Sequence, residues 1–296
     1  MSEQLAEPLT MSARLAAPVS RVRAALTEAG ELRAWLSEHA EVDLPNRFAF
    51  WGPSIPDGAE PHQRPLTVTD TEVSFAWQVG GEETTVEFTL AEESADTTVL
   101  TASQSHFPGW GVAASGGGGV LAVLGTFWAA AIANLVEHIE GRPLTPRGDL
   151  TSADLKAEVV IAASAEKIYD ALMDPAKFAE WFGYPIELEP HVGGRWAMGG
   201  FENNPSPAKI VELEPGRALT LDFGGSSYGL NSWELAESDG KTRLTFMASG
   251  FNRDNPPYAG WLGWISGIAE LRRYVEMPDW RMTWIVPTEE ETRPAE

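Results

Sequence analysis

The chain is written twice. Ala16-Ala17-Pro18-Val19-Ser20-Arg21-Val22-Arg23-Ala24-Ala25-Leu26 aligns with Ala162-Ala163-Ser164-Ala165-Glu166-Lys167-Ile168-Tyr169-Asp170-Ala171-Leu172, at an offset of 146. The match runs on without a gap: Leu32 falls on Phe178, Trp35 on Trp181 and Leu36 on Phe182. The far ends also correspond, at an offset of 136, with Trp128 on Trp264, Leu135 on Leu271, Ile139 on Val275 and Glu140 on Glu276. A repeat period this long is that of whole domains, not of a solenoid. The expected organisation is two homologous domains, 8–146 and 152–286, joined by a linker at 147–151. The Pro- and Gly-rich stretch Gly141–Gly148 marks the junction. Residues 287–296 read as a disordered acidic tail.

Charge and cysteine content then remove whole classes of function. The 296 residues carry a formal net charge of −22. Such a surface repels phosphate backbones and anionic lipid, so neither nucleic acid nor membrane is an expected partner. With no cysteine in the chain, disulfides, thiol nucleophiles and cysteine-bound metals are out. The start, Met1-Ser2-Glu3-Gln4-Leu5-Ala6-Glu7-Pro8, has no basic and apolar signal pattern, and the expected location is the cytoplasm. One apolar run, Val120 to Val136, approaches the length of a membrane span. Glu137, His138 and Glu140 follow it in place of Lys or Arg anchors, so it reads as a buried helix.

The second copy gives the clearer pattern. Lys156 to Ile161 reads as a strand, and Ser164 as the N-cap of a helix carrying Ile168, Ala171 and Leu172. Asp174-Pro175 stops that helix and starts another, which carries Phe178, Trp181 and Phe182. About six antiparallel strands follow, with Asp239-Gly240 as a hairpin turn between the last two. Tyr258 to Val275 closes the copy as a long helix with an apolar stripe of Trp261, Trp264, Ile265, Ile268, Leu271 and Tyr274. The fold class is α+β. The long helix is the natural cover for the apolar face of the sheet, and a cavity between the two is where a small apolar ligand would lie.

At this point the second copy resembles a known family, the activator of Hsp90 ATPase homologue 1-like domains of the START-like (Bet v 1-like, SRPBCC) superfamily. The resemblance is carried by Ala163–Pro175, Trp181, Val192-Gly193-Gly194-Arg195-Trp196, Ile210–Leu219, Thr242-Arg243-Leu244-Thr245, Ser249-Gly250-Phe251 and the closing helix from Gly260-Trp261. It spans nearly all of residues 155–277. The first copy fits only at its ends. It has Arg47-Phe48-Ala49-Phe50-Trp51 in place of the Gly-Gly-Arg stretch, and Ser115-Gly116-Gly117-Gly118-Gly119 before its long helix. The resemblance implies two tandem helix-grip domains, each a curved antiparallel sheet wrapped on a long C-terminal helix with two short helices. It does not imply a single activity, since relatives include co-chaperones, lipid carriers and polyketide aromatase/cyclases.

Sequence motifs for catalysis fail on their context. Gly225-Ser226-Ser227-Tyr228-Gly229 has the spacing of a nucleophile elbow, but strands are expected on both sides, and all five histidines precede Ser227. Gly116 to Gly119 lacks the following Lys-Ser or Lys-Thr of a phosphate loop. His39, His62, His106, His138 and His191 are scattered singly, which does not suit zinc. No catalytic residue, metal or cofactor is therefore assigned. Tyr228, Asp222 and Arg195 lie nearest to an acid or base role, though the Gly-Gly-Arg arginine suits a surface salt bridge better. Trp35 and Trp181, at matching repeat positions, are expected to anchor the short helix. The expected ligand-lining set is Trp181, Trp196, Phe223, Trp233, Phe246, Trp261, Trp264 and Ile268. The function so read is binding of a hydrophobic, aromatic small molecule, chiefly by the second domain. The alternatives are a protein partner in an Hsp90-activator type of role, and an aromatase/cyclase.

Overall fold

Local capping chemistry sets the start of the second repeat. In the computed structural model, which describes residues 8–224 and 228–285, Ser164 Oγ accepts from the Lys167 backbone N–H at 3.3 Å and opens α5 (Ala165–Met173). Asp174 ends that helix and caps α6 (Pro175–Phe182), its carboxylate accepting from the N–H groups of Ala176 and Lys177. Before them runs β8 (Leu155–Ile161). After them come β9 (Ile186–Leu188), β10 (Arg195–Met198), β11 (Ala208–Glu214), β12 (Ala218–Asp222), β13 (Leu230–Ser238) and β14 (Lys241–Ser249). The repeat closes with α7 (Tyr258–Glu276).

These strands form one seven-stranded antiparallel sheet, in the order β8-β14-β13-β12-β11-β10-β9. The β13–β14 hairpin closes at Ser238↔Lys241 with positive φ at both Asp239 and Gly240, the conformation that the Asp-Gly pair favours. Alternation is clean along β8, which buries Leu155, Ala157, Val159 and Ile161 and turns Lys156, Glu158 and Val160 outward. The buried face of the sheet is covered by α7, which also packs on α5 and α6. This is the helix-grip arrangement.

The first repeat has the same order of elements apart from one added short helix, and a different sheet. β1 (Leu9–Leu15), α1 (Val19–Thr27), α2 (Ala29–Trp35), β2 (His39–Asp43) and β3 (Arg47–Trp51) precede β4 (Gln63–Val68), β5 (Glu72–Val79), β6 (Glu82–Ser94) and β7 (Thr97–Gln104). β2 and β3 form a separate two-stranded sheet, and the rest form a larger one in the order β15-β1-β7-β6-β5-β4, where β15 is Trp284–Ile285. Phe48, Phe50, Phe75, Trp77 and Phe88 pack on one another here, with ring centroids 4.9–6.2 Å apart. A short helix, α3 (Trp110–Ala114), and the long α4 (Gly119–Ile139) follow.

By contacts the described residues divide into two compact units. Unit 1 holds 8–109, 134–144 and 282–285, and unit 2 holds 110–133 and 145–281. This division does not fall at the repeat boundary. Trp284 and Ile285 pair with Ala13 and Ser12 of β1, and the Tyr228 hydroxyl donates to the carbonyls of Ala113 and Ala114 at 3.0 and 2.9 Å.

α4 is long and apolar enough to cross a membrane, with a mean hydropathy of 1.9 over its most apolar window; 61% of that window is buried within the structure. The expected acidic tail, 287–296, and Ser227 of the Gly225–Gly229 motif lie outside the described residues.

Candidate ligand-binding site

Sheet register brings the candidate residues of unit 2 together. Leu219, Trp233, Phe246 and Ala157 stand opposite one another across β12, β13, β14 and β8. Such facing pairs point to the same side of the sheet. Trp233 and Phe246 therefore meet, with ring centroids 4.9 Å apart.

α7 supplies the other wall. Trp261 and Trp264 are three residues apart, hence on one helical face. Trp261 stacks on Phe246 at 5.0 Å with planes 14° apart, and Trp264 meets Trp233 edge-on at 4.8 Å. Trp264 also touches Phe178, Phe182, Trp196 and Phe246, with centroids 5.7–6.5 Å away. Phe223 reaches the group through Trp196 at 6.0 Å. Such edge-on and tilted pairs are the favourable geometries for aromatic rings. Ile268 is buried one turn further along α7. Trp196, Trp233, Phe246 and Trp261 are buried, while Phe223 and Trp264 are the half-buried members.

Trp181 is held differently. Its indole N–H donates to the Ala171 carbonyl at 2.8 Å, so its polar end is directed to α5. Trp35 does the same in the first repeat, donating to Ala25 at 2.9 Å. Both anchor one short helix to the other.

Hydrogen-bond satisfaction separates the remaining tryptophans. The indole N–H groups of Trp233 and Trp261 are buried and have no acceptor among the described residues. That of Trp261 lies toward Gly148, where an added Cβ would sit 3.3 Å from it. Trp233 lies among the rings. Two residues before it on the same buried face of β13 is Asn231, 4% exposed, with no side-chain hydrogen bond among the described residues. Sequence reasoning missed Asn231. Its only signal was an amide at an inward position of an alternating strand.

Arg195 takes no part in this cluster. It makes the surface pair expected of it, with Nη2 2.7 Å from Glu189 Oε1, and its guanidinium lies 4.0 Å over the Phe201 ring. The Arg195 side chain, and then its backbone N–H, hold the Glu189 carboxyl down at about 2. Because the folded value lies below the ordinary carboxylate range, the pair contributes above that range and is lost as pH falls through about 2. Glu189→Gln is expected to remove this component, flattening the acid side of a Tm-against-pH curve by a small amount. An unchanged acid limb would show the pair to be energetically silent.

An open groove lies elsewhere in unit 2, lined by Ser164, Lys167, Asp170, Asp174, Pro215 and Gly216 among others. None of the eight candidate residues lines it. Asp222 is half-buried beside the Phe223 turn, and burial raises the Tyr228 hydroxyl above its ordinary range. Among the described residues, no group of three or more His, Asp or Glu is placed to hold a metal.

Comparison with known proteins bears on this same unit. No curated protein matches the chain. DynU16, a putative protein in the dynemicin biosynthetic locus, is 18% identical, covering 91% of this chain and 98% of its own, with a TM-score of 0.38. The di-domain ARO/CYC BexL from the BE-7585A biosynthetic pathway is 16% identical, covering 91% and 99%, with a TM-score of 0.36. PFC0360w, an HSP90 activator from Plasmodium falciparum, is 21% identical over 46% of this chain and 97% of its own, with a TM-score of 0.37. The fold assignment rests on the topology described above. Residues 162–276 match the family described as activator of Hsp90 ATPase homolog 1-like protein. That span begins just before the Ser164 cap and ends with α7. With its strand order and its gripped helix, this segment is an activator of Hsp90 ATPase homolog 1-like domain.

Proposed function

We propose that unit 2 binds a hydrophobic, aromatic small molecule between α7 and the inner face of its sheet. The observation that carries this reading is the continuous group of rings joining α6, β10, β13, β14 and α7 around Trp264. Ring faces stack on aromatic ligands as they do on each other. Burial of ligand surface supplies the affinity, at about 25 cal/mol per Å² before ordering costs. Half-buried Phe223 and Trp264 mark the side from which a ligand reaches the buried rings.

Native mass spectrometry of the freshly purified chain tests this. A retained mass released on denaturation supports it and identifies the ligand by formula. Trp264→Ala is then expected to weaken binding of that compound about tenfold or more, with the circular dichroism spectrum retained. Unchanged affinity removes Trp264 from the site.

The family match favours a second reading, in which the domain acts on a protein partner of the Hsp90 type. The net charge of −22 would favour a basic face on that partner. No change in an Hsp90-type ATPase rate on adding the purified chain would count against it.

A further inference from the structure

We propose that the ligand of unit 2 is an aromatic compound bearing a carbonyl oxygen, and that Trp233 and Asn231 select it by hydrogen bonding to that oxygen. This rests on the binding reading above and adds what the rings cannot specify. Aromatic faces alone accept any flat apolar molecule of suitable size. Two polar groups on β13 do not.

Trp233 is 2% exposed, and its N–H has no acceptor among the described residues. A buried unpaired donor has given up its water without a replacement, so such groups are rare unless something outside the chain satisfies them. The nearest alternatives here are the ring faces of Phe246 and Trp264, and an N–H to ring contact is weak. An indole nitrogen can only donate, so its partner must be an acceptor. Asn231 lies on the same face, about 7 Å along the strand at the usual rise per residue. It is flanked across the sheet by Leu221 on β12 and Ala248 on β14, neither of which can bond its amide by a side chain. Its amide adds a second donor and one acceptor. A carbonyl oxygen has two lone pairs and can take one donor from each residue. A hydroxyl beside the carbonyl would find the Asn231 oxygen. Trp261 differs, because its N–H is turned toward Gly148 at the junction between the repeats.

The test uses two tricyclic compounds of nearly the same shape, fluorene and 9-fluorenone, which differ by one carbonyl oxygen. Both are titrated into the full chain by isothermal calorimetry. The expected result is that fluorenone binds about tenfold more tightly, the ratio one buried hydrogen bond gives. Trp233→Phe keeps a ring and removes the N–H. It is expected to bring the ratio of fluorenone to fluorene affinity within the variant down to about one, whatever change the smaller ring makes to fluorene affinity itself. Asn231→Leu is expected to reduce the preference in part. Equal binding of both compounds to the unmodified chain overturns the carbonyl assignment and leaves the aromatic site standing. An undiminished preference in Trp233→Phe overturns the role of Trp233. Failure of both compounds to bind overturns the aromatic site and this inference with it. Near-ultraviolet circular dichroism of each variant reports whether the ring group is still packed, so loss of structure cannot pass for loss of selectivity.

Discussion

Replacing Phe246 with alanine is expected to destabilise the chain by about 3–5 kcal/mol. Phe246 is fully buried and lies against three tryptophans: Trp233 at 4.9 Å, Trp261 at 5.0 Å and Trp264 at 6.2 Å. Large rigid rings cannot collapse into the space a phenyl leaves, so the cavity term adds to the lost burial. Phe246→Leu keeps most of the volume and should cost only about 1–1.5 kcal/mol. Differential scanning calorimetry is the suitable measurement, because two units need not melt as one. A Phe246→Ala variant that melts within a degree of the parent would show that the rings do not pack as described.

The two anchoring tryptophans carry the second large effect. Trp35→Ala and Trp181→Ala are each expected to cost about 3–5 kcal/mol, and the corresponding Phe variants about 1–3 kcal/mol. The reason lies at the end of the preceding helix. The acceptor of Trp181 is the Ala171 carbonyl, in the last turn of α5. Four residues on is Pro175, which has no N–H to give it. The same proline that starts α6 thus leaves a buried carbonyl open, and the indole ten residues downstream of Ala171 closes it. In the first repeat Trp35 closes the Ala25 carbonyl across the same interval. A phenylalanine preserves the packing and loses only the donor, so the Phe and Ala variants separate the two contributions. Parallel losses in the two repeats, read from the two calorimetric transitions, are the expected outcome. A Trp35 variant that melts unchanged would mean that the first repeat no longer uses the device.

Most of the second repeat was legible because its signals are local. Ser164, Asp174-Pro175 and Asp239-Gly240 each act on backbone groups within a few residues, and each does so as read. Along β13, Trp233 and Leu235 alternate with exposed Glu234, which names its inward face. Helical spacing on α7 put Trp261 and Trp264 on one side, and together these placed the aromatic group. The first repeat was less legible. Arg47 to Trp51 reads only as a departure from the pattern, and nothing in it announces that β2 and β3 stand apart as their own sheet. β15 is two residues long, too short for any period, and its partner β1 is encoded at the opposite end of the chain.

By itself, then, the sequence determined the duplication, the class of fold, the two short helices with their caps, the last hairpin turn and the ring-bearing face of the long helix in the second repeat. All of these depend on caps, turns and periodicities that act over a few residues. Only the tertiary structure decided which polar groups are left without partners. Trp181 and Trp233 are the same residue type on neighbouring walls, yet one N–H meets a carbonyl and the other meets no acceptor among the described residues. That difference is set by what lies across the fold from each ring, because a hydrogen bond depends on distance and direction between atoms that the chain order does not bring together.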